Sequence, residues 1–278
     1  MLVSIAGLKF ALTGSCVGAE IIDEATAEYL GPFACTGDGD SVDFTLRVMD
    51  IHAIKMPANL QRRRYEIRYA ESEGRFFFEN IHARSVIDPS EKVMKASFFN
   101  PRDPQRVRLL LAQLRLLVSL LTLENHGLPI HGAALYRNNR CAIFSGPSGT
   151  GKSTIANLLY PQWGILNDEC VVLRPDSDKY HAWSTPFANM NTRSRCSVRK
   201  FPVNKLFFIK QGTSLETTAM NFTQKYFSLL QSVYTLPTTR EHGALAMETA
   251  ESVCRSIPME TLVFPRHKET LLTIDRLL

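Results

Sequence analysis

Gly146-Pro147-Ser148-Gly149-Thr150-Gly151-Lys152-Ser153-Thr154 carries glycine, lysine and serine at every position that a G-x-x-x-x-G-K-[ST] phosphate-binding loop requires. A polyphosphate presents several negative charges, and a backbone free of bulky side chains can curl around it with N–H groups pointing inward. Lys152 then brings an ammonium to the outer phosphates, and the Ser153 hydroxyl is placed to ligate Mg²⁺. A helix starting there aims the positive end of its dipole at the anion. The flanks agree. Cys141-Ala142-Ile143-Phe144 is an apolar run of strand type, and Ile155, Leu158 and Leu159 repeat at helical spacing until Pro161 stops them. Strand, glycine loop and helix follow in the order that nucleotide binding needs.

Around this loop the chain has 278 residues, 45% hydrophobic and 21% charged, with a net charge of +5. Those values describe a folded chain with room for two domains, and the mild charge names no partner class. Six cysteines (Cys16, Cys35, Cys141, Cys170, Cys196, Cys254) contain no C-x-x-C pair, which removes the usual zinc and redox signatures. The apolar N-terminus over residues 2–12 is interrupted by Lys9 and lacks a basic region before it, so it reads as a strand rather than a leader. The apolar stretch 109–123 is too short for a bilayer and carries Arg115. It reads as a buried helix, with Asp103 and Pro104 suited to its N-cap and first position. A cytoplasmic, reduced protein is expected, without membrane contact.

Residues 42–48 and 65–69 alternate apolar and polar side chains, as half-buried strands do. The turn Glu71-Ser72-Glu73-Gly74 leads into Phe76-Phe77-Phe78. Residues 1–103 are therefore expected to form a smaller β-rich lobe, and 104–278 an α/β domain built around the loop. Within the latter, strands are expected over 165–173, 180–183, 205–209, 261–264 and 271–274, and helices over 221–231 and 240–255.

Magnesium-assisted phosphoryl transfer needs a carboxylate near the loop and a group to orient or deprotonate the acceptor. Asp168 and Glu169 come soon after Lys152, between Ile165-Leu166 and Cys170-Val171-Val172-Leu173. An acidic pair is ordinarily a solvated turn, but inside so apolar a run it needs partners. Strand alternation would aim one of the two at the phosphates and leave its neighbour to the other face or a bend. His131, in the extended segment 129–135, is the third candidate. Arg193 and Arg195 belong to the densest basic run after these residues, either a solvated loop or a source of guanidinium groups for an acidic acceptor or the transferring phosphate. Arg62-Arg63-Arg64 stands beside Tyr65 and Tyr69, where alternation fits an ordinary strand, and nucleic acid is not expected as a partner.

His131-Gly132, the loop from Gly146 to Ser153, and Asp168-Glu169 resemble, in that order and spacing, the HPr kinase/phosphorylase family and its relatives on the phosphoenolpyruvate carboxykinase-like P-loop fold. The resemblance covers about residues 129–173. It implies a carboxykinase-like kinase domain that uses ATP and Mg²⁺, with Asp168 as the acceptor's base, Glu169 as a metal ligand, and His131 near the transferred phosphate. The chain departs from HPr kinase in having Glu169 where the second acid is usually Asp, and in lacking a downstream Glu-Ile-Arg-Gly signature. It is nearer to divergent HPr-kinase-like proteins, including kinases of small precursor peptides.

The expected function is thus phosphoryl transfer from ATP to a hydroxyl, foremost a serine of a peptide or small protein. In it Gly146 to Thr154 hold the nucleotide, His131, Lys152 and Asp168 are catalytic, Ser153, Asp168 and Glu169 hold the metal, and Arg193 and Arg195 face the acceptor. A small-molecule hydroxyl as acceptor, or an ATP-sensing module without transfer, are the alternatives. No assembly state is legible.

Overall fold

The computed structural model describes residues 1–36, 41–50, 53–59, 61–62, 68–189, 198–234 and 239–265. The strand expected over 271–274, most of the basic cluster at 62–64, the start of the strand at 65–69, and Arg193, Arg195 and Cys196 fall outside them. The fold is mixed α/β with two large sheets, and the chain divides into two compact units, Met1–Val118 and Ser119–Leu278.

In the first unit, β1 (Leu2–Ile5) and β2 (Leu8–Gly14) are two antiparallel strands, not the single strand expected. The chain reverses at Ala6 and Gly7, both at positive φ. Helix α1 (Cys16–Ala25) then packs on β2 and on β3 (Phe44–Met49), which runs parallel to β2. This helix lies inside the lobe expected to be β-rich, in a stretch for which no helix was expected. Ile21, Ile22 and Ala25, at helical spacing, are its buried face. Beyond β4 (Gln61–Arg62), the strands β5 (Arg68–Ser72), β6 (Arg75–Glu79), β7 (Ala83–Asp88) and β8 (Val93–Phe98) form an antiparallel meander. The meander joins β3 through the parallel pair β3–β8. Phe44, Leu46 and Val48 are buried while Arg47 is exposed, so alternation holds where the sequence shows it.

Helix α2 (Arg106–Glu124) leads from the first unit into the second. It starts after the expected cap, Asp103, whose Oδ1 accepts from Gln105 N at 2.7 Å. Among the described residues no helix is long and apolar enough to cross a membrane.

The second unit is built on two long strands that each belong to two sheets. Strand β9 (Leu128–Arg137) pairs through Leu128–His131 with β12 (Cys170–Asp176), and from Gly132 onward with β10 (Arg140–Ser145). Strand β14 (Lys200–Gln211) pairs at its start with β13 (Lys179–Trp183), then with β10 and with β16 (Met259–Phe264). Since β12 also pairs with β13, the strands β9, β10, β14, β13 and β12 close a ring. The short β11 (Gly164–Asn167) adds to β9, and β15 (Glu216–Ala219) adds to β16.

Helix α3 (Lys152–Leu159) covers one face of this sheet, where Ile155, Ala156 and Leu159 pack with Ala142, Phe144, Phe207 and Ile209. Cys141, Ile143, Leu206 and Phe208 turn the other way, into a core shared with Val171, Leu173 and Ala182 and with Leu229 of α4 (Phe222–Ser232) and Ala250 and Val253 of α5 (Arg240–Ser256). Coverage on both faces explains why Cys141 to Phe144 and Leu206 to Ile209 read as unbroken apolar runs. Each fully buried Ile or Phe contributes about 1.5–3 kcal/mol of burial free energy.

Candidate functional site

The glycine loop connects β10 to α3 and is braced from within and from one neighbour. Thr150 Oγ1 donates to the Pro147 carbonyl at 2.8 Å, and Gln211 Nε2, at the end of β14, donates to the Gly149 carbonyl at 2.6 Å. Lys152 folds back so that Nζ donates to the carbonyls of Gly146 and Pro147 at 2.8 and 2.9 Å. Helix α3 starts without a side-chain cap, which leaves its first turn suited to an anion. Gly151, at φ 108°, also lies where an added Cβ would stand 2.8 Å from the Phe264 ring. Gly149, at φ 82°, has nothing within 4 Å of such an atom. Gly151→Ala is therefore expected to lower stability by about 1–3 kcal/mol and Gly149→Ala by less. Thermal melts measure the difference, and equal losses would remove the Phe264 contact from the account.

The run 165–173, expected as one strand, is split between β11 and β12 at the acidic pair. Asn167 makes the break. Its Oδ1 accepts from the backbone N–H groups of Glu169 and Cys170 at 2.8 and 3.0 Å, an Asx-type turn. Its Nδ2 donates to the Thr185 carbonyl at 2.9 Å, and Thr185 Oγ1 donates to the Cys170 carbonyl at 2.8 Å. Asp168 and Glu169 are consequently displayed from a bend, and strand alternation does not set their directions.

The fork in β9 brings His131 to this bend. His131 pairs with Cys170 and Gly132 with Ser145, so one residue step changes sheets, and Gly132 N donates to the Glu169 carbonyl at 3.2 Å. His131 Nε2 lies 3.7 Å from Glu169 Oε2. Tyr234 O–H donates to Glu169 Oε1 at 3.3 Å, and its ring meets His131 edge-on at 5.7 Å. Ser145, the residue before the loop, donates to the His131 carbonyl at 2.7 Å and lies 2.8 Å from Ser232 Oγ on α4. The loop, His131 and the end of α4 are thus mechanically joined.

Burial, at 6% exposure, pushes the Lys152 ammonium below the usual lysine range, while the charge of Glu169 acts in the opposite sense. His131 and Glu169 therefore meet, and Lys152 lies near enough to feel the charge of Glu169. Asp168 is 1% exposed and faces Asn189, whose N–H donates to Oδ1 at 2.9 Å and whose Nδ2 donates to Oδ2 at 3.1 Å. Asn189 and Tyr234 were not legible as site residues, since both stand on connecting segments with no motif of their own. Asn167, an amide directly before two acids in an apolar run, did carry a turn signal.

Among the described residues no three His, Cys, Asp or Glu side chains form a metal cage. A magnesium ion arriving with a triphosphate requires less, because phosphate oxygens and water fill most of its octahedron. The hard oxygen donors of Ser153, Asp168 and Glu169 fit such an ion chemically.

A model of the protein family described as SynChlorMet cassette protein ScmC matches residues 99–262 of this chain. No curated protein matches it. Among solved structures, the chain is similar to the HPr(Ser) kinase/phosphatase from Coxiella burnetii at 12% identity, over 54% of this chain and 96% of that one, with a TM-score of 0.31.

Proposed function

The chain belongs to the family of the SynChlorMet cassette protein ScmC, and we propose that it is an ATP- and Mg²⁺-dependent phosphotransferase, on a carboxykinase-like P-loop domain, acting on a hydroxyl, foremost a serine of a peptide or small protein. One observation carries this reading: the braced glycine loop, with Lys152 Nζ on the Gly146 carbonyl, is tied through Ser145 to His131, whose Nε2 lies 3.7 Å from Glu169 Oε2.

The loop from Gly146 to Thr154, through its backbone N–H groups other than at Pro147, and the Lys152 ammonium bind and orient the β- and γ-phosphates. Ser153 and Glu169, with Asp168 beside them, would hold the magnesium ion, which would spread the phosphate charge. Asp168 takes the proton of the acceptor hydroxyl as its oxygen bonds to the γ-phosphorus, and the bond to the bridging oxygen breaks to release ADP. His131 lies beside the transferring group, anchored by Glu169 and Tyr234. Arg193 and Arg195 follow Asn189 in sequence and are proposed to meet an acidic acceptor or the transferring phosphate. A cytoplasmic location goes with this reading, as do the free thiols of Cys35, Cys141, Cys170 and Cys254.

The test is calorimetric titration with ATP in magnesium buffer, followed by radiolabelled γ-phosphate transfer to a panel of serine peptides and hydroxyl metabolites read by mass spectrometry. A labelled peptide is the expected product, with the Michaelis constant for that peptide raised by Arg193→Ala and Arg195→Ala. A labelled metabolite instead would move the acceptor class. ATP binding without any labelled product would leave a nucleotide sensor, and absence of binding by the folded protein would end the proposal.

A further inference from the structure

Among the described residues, every hydrogen bond that the buried Asp168 carboxylate receives comes from Asn189. The same Nδ2 that donates to Asp168 Oδ2 at 3.1 Å also lies 3.3 Å from Glu169 Oε2 and 3.3 Å from the Asp168 carbonyl oxygen. Two amide hydrogens thus serve three oxygens, so at least one of these bonds is shared and weaker than an ordinary one. Spanning neighbouring acids, the amide places the positive ends of its N–H dipoles on both and offsets their mutual repulsion. That is the electrostatic role of a cation, in a weaker and uncharged form. The main-chain bond from Asn189 N to Oδ1, at 2.9 Å, does not depend on the side chain. The amide can therefore leave while the chain stays attached to Asp168.

We infer that Asn189 is a positioning residue of the acidic pair: its side-chain amide holds Asp168 and Glu169 in one orientation and competes with a divalent cation for their oxygens. The importance of this competition for catalysis rests on the phosphotransferase reading. The competition itself rests on the contacts alone. Withdrawal of the amide frees Asp168 Oδ2 and Glu169 Oε2 together, so cation loading and release of the proposed base are one event. The identity of residue 189 would then set how readily the site takes its metal.

The experiment is a Mn²⁺ titration of the full-length protein without nucleotide, reading free Mn²⁺ by electron paramagnetic resonance. Asn189→Ala removes the competing donor and is expected to bind Mn²⁺ about tenfold more tightly, the size of one lost charge-assisted hydrogen bond. Asn189→Asp has the same shape but a third carboxylate in place of the donor, and should bind more tightly still. Should the alanine variant not fold, as judged by circular dichroism, Asn189→Ser takes its place, since its short hydroxyl cannot span both acids. Unchanged or weaker Mn²⁺ binding in the folded variants overturns the inference, because a purely structural asparagine would give that result. A separate ATP titration keeps the two ideas apart. Tighter Mn²⁺ binding in a protein that ignores ATP sustains the competition and removes the phosphotransferase, whereas ATP binding with no effect at position 189 does the reverse.

Discussion

Lys152→Ala is expected to reduce phosphoryl transfer by a factor on the order of 10²–10³, the usual effect of deleting a preorganised charge at a reacting phosphate, without unfolding the protein. In the absence of nucleotide the ammonium is spent on two loop carbonyls, Gly146 and Pro147, on a loop that water reaches from outside. Their loss is small on the scale of folding, about 0.5–1.5 kcal/mol for each net hydrogen bond. Burial works the other way. Because it lowers the pKa of Lys152 relative to the unfolded chain, the folded state binds fewer protons than the unfolded one in the window between the two values. Stability therefore rises as pH climbs through the folded pKa, and at neutral pH the charged ammonium is a burden rather than a support. Thermal melts at neutral pH should accordingly show little loss for the variant. A triphosphate adds several negative charges to that of Glu169 beside the buried ammonium, so the deficit of the variant should appear in ATP affinity and in turnover. Wild-type turnover in the variant would remove the loop from the mechanism.

The second large effect is expected at Asp168. Asp168→Ala leaves the main-chain and side-chain donors of Asn189 facing a cavity in a buried environment, at a cost of about 1–3 kcal/mol for a buried unsatisfied group, read as a lowered Tm. Asp168→Asn conserves volume but turns an N–H group toward a donor and cannot accept a proton. Transfer by that variant should fall about 10²- to 10⁴-fold, the range for loss of a general base, a larger effect than any it has on ATP affinity through the magnesium site. Single-turnover transfer and calorimetry on the same preparation measure the two quantities. If Asp168→Asn transfers normally, the acceptor's proton goes elsewhere, and Glu169, with its side chain 26% exposed, becomes the acid to replace next.

Legibility in the sequence differed from one part of the chain to another for physical reasons. Strand β10, the loop and α3 could be read because each imposes its own local pattern, and because sheet coverage on both faces leaves a plain apolar run. The helices α4 and α5 were legible too, since Asn221 and Thr239 cap them through bonds to Gln224 N and His242 N. The acidic pair is visible, and Asn167 before it carries a turn signal, but Ile165-Leu166 and Cys170 to Leu173 are apolar on both sides of these three polar residues and read as one continuous strand. Asn189 and Tyr234 reach the site only because pairing brings distant segments together. Tyr234 is held by its N–H on the Pro129 carbonyl at 2.8 Å, beside the bridge between Ile130 and Val233. Such long-range placement leaves no local signal. Helix α1 is different: Ile21, Ile22 and Ala25 carry its period, but the alternating runs that follow mark the lobe as β-rich.

The closed circuit of β9, β10, β14, β13 and β12 constrains how this chain can be altered. Inserting a single residue between His131 and Gly132 would invert the facing of every later side chain in β9, and neighbours on both sides would oppose the slip. The framework therefore resists change by insertion. Variation in chemistry must enter through substitutions at the short connections, above all around residues 167–169 and 185–189, and a designer seeking a new acceptor should leave the five strands at their present lengths.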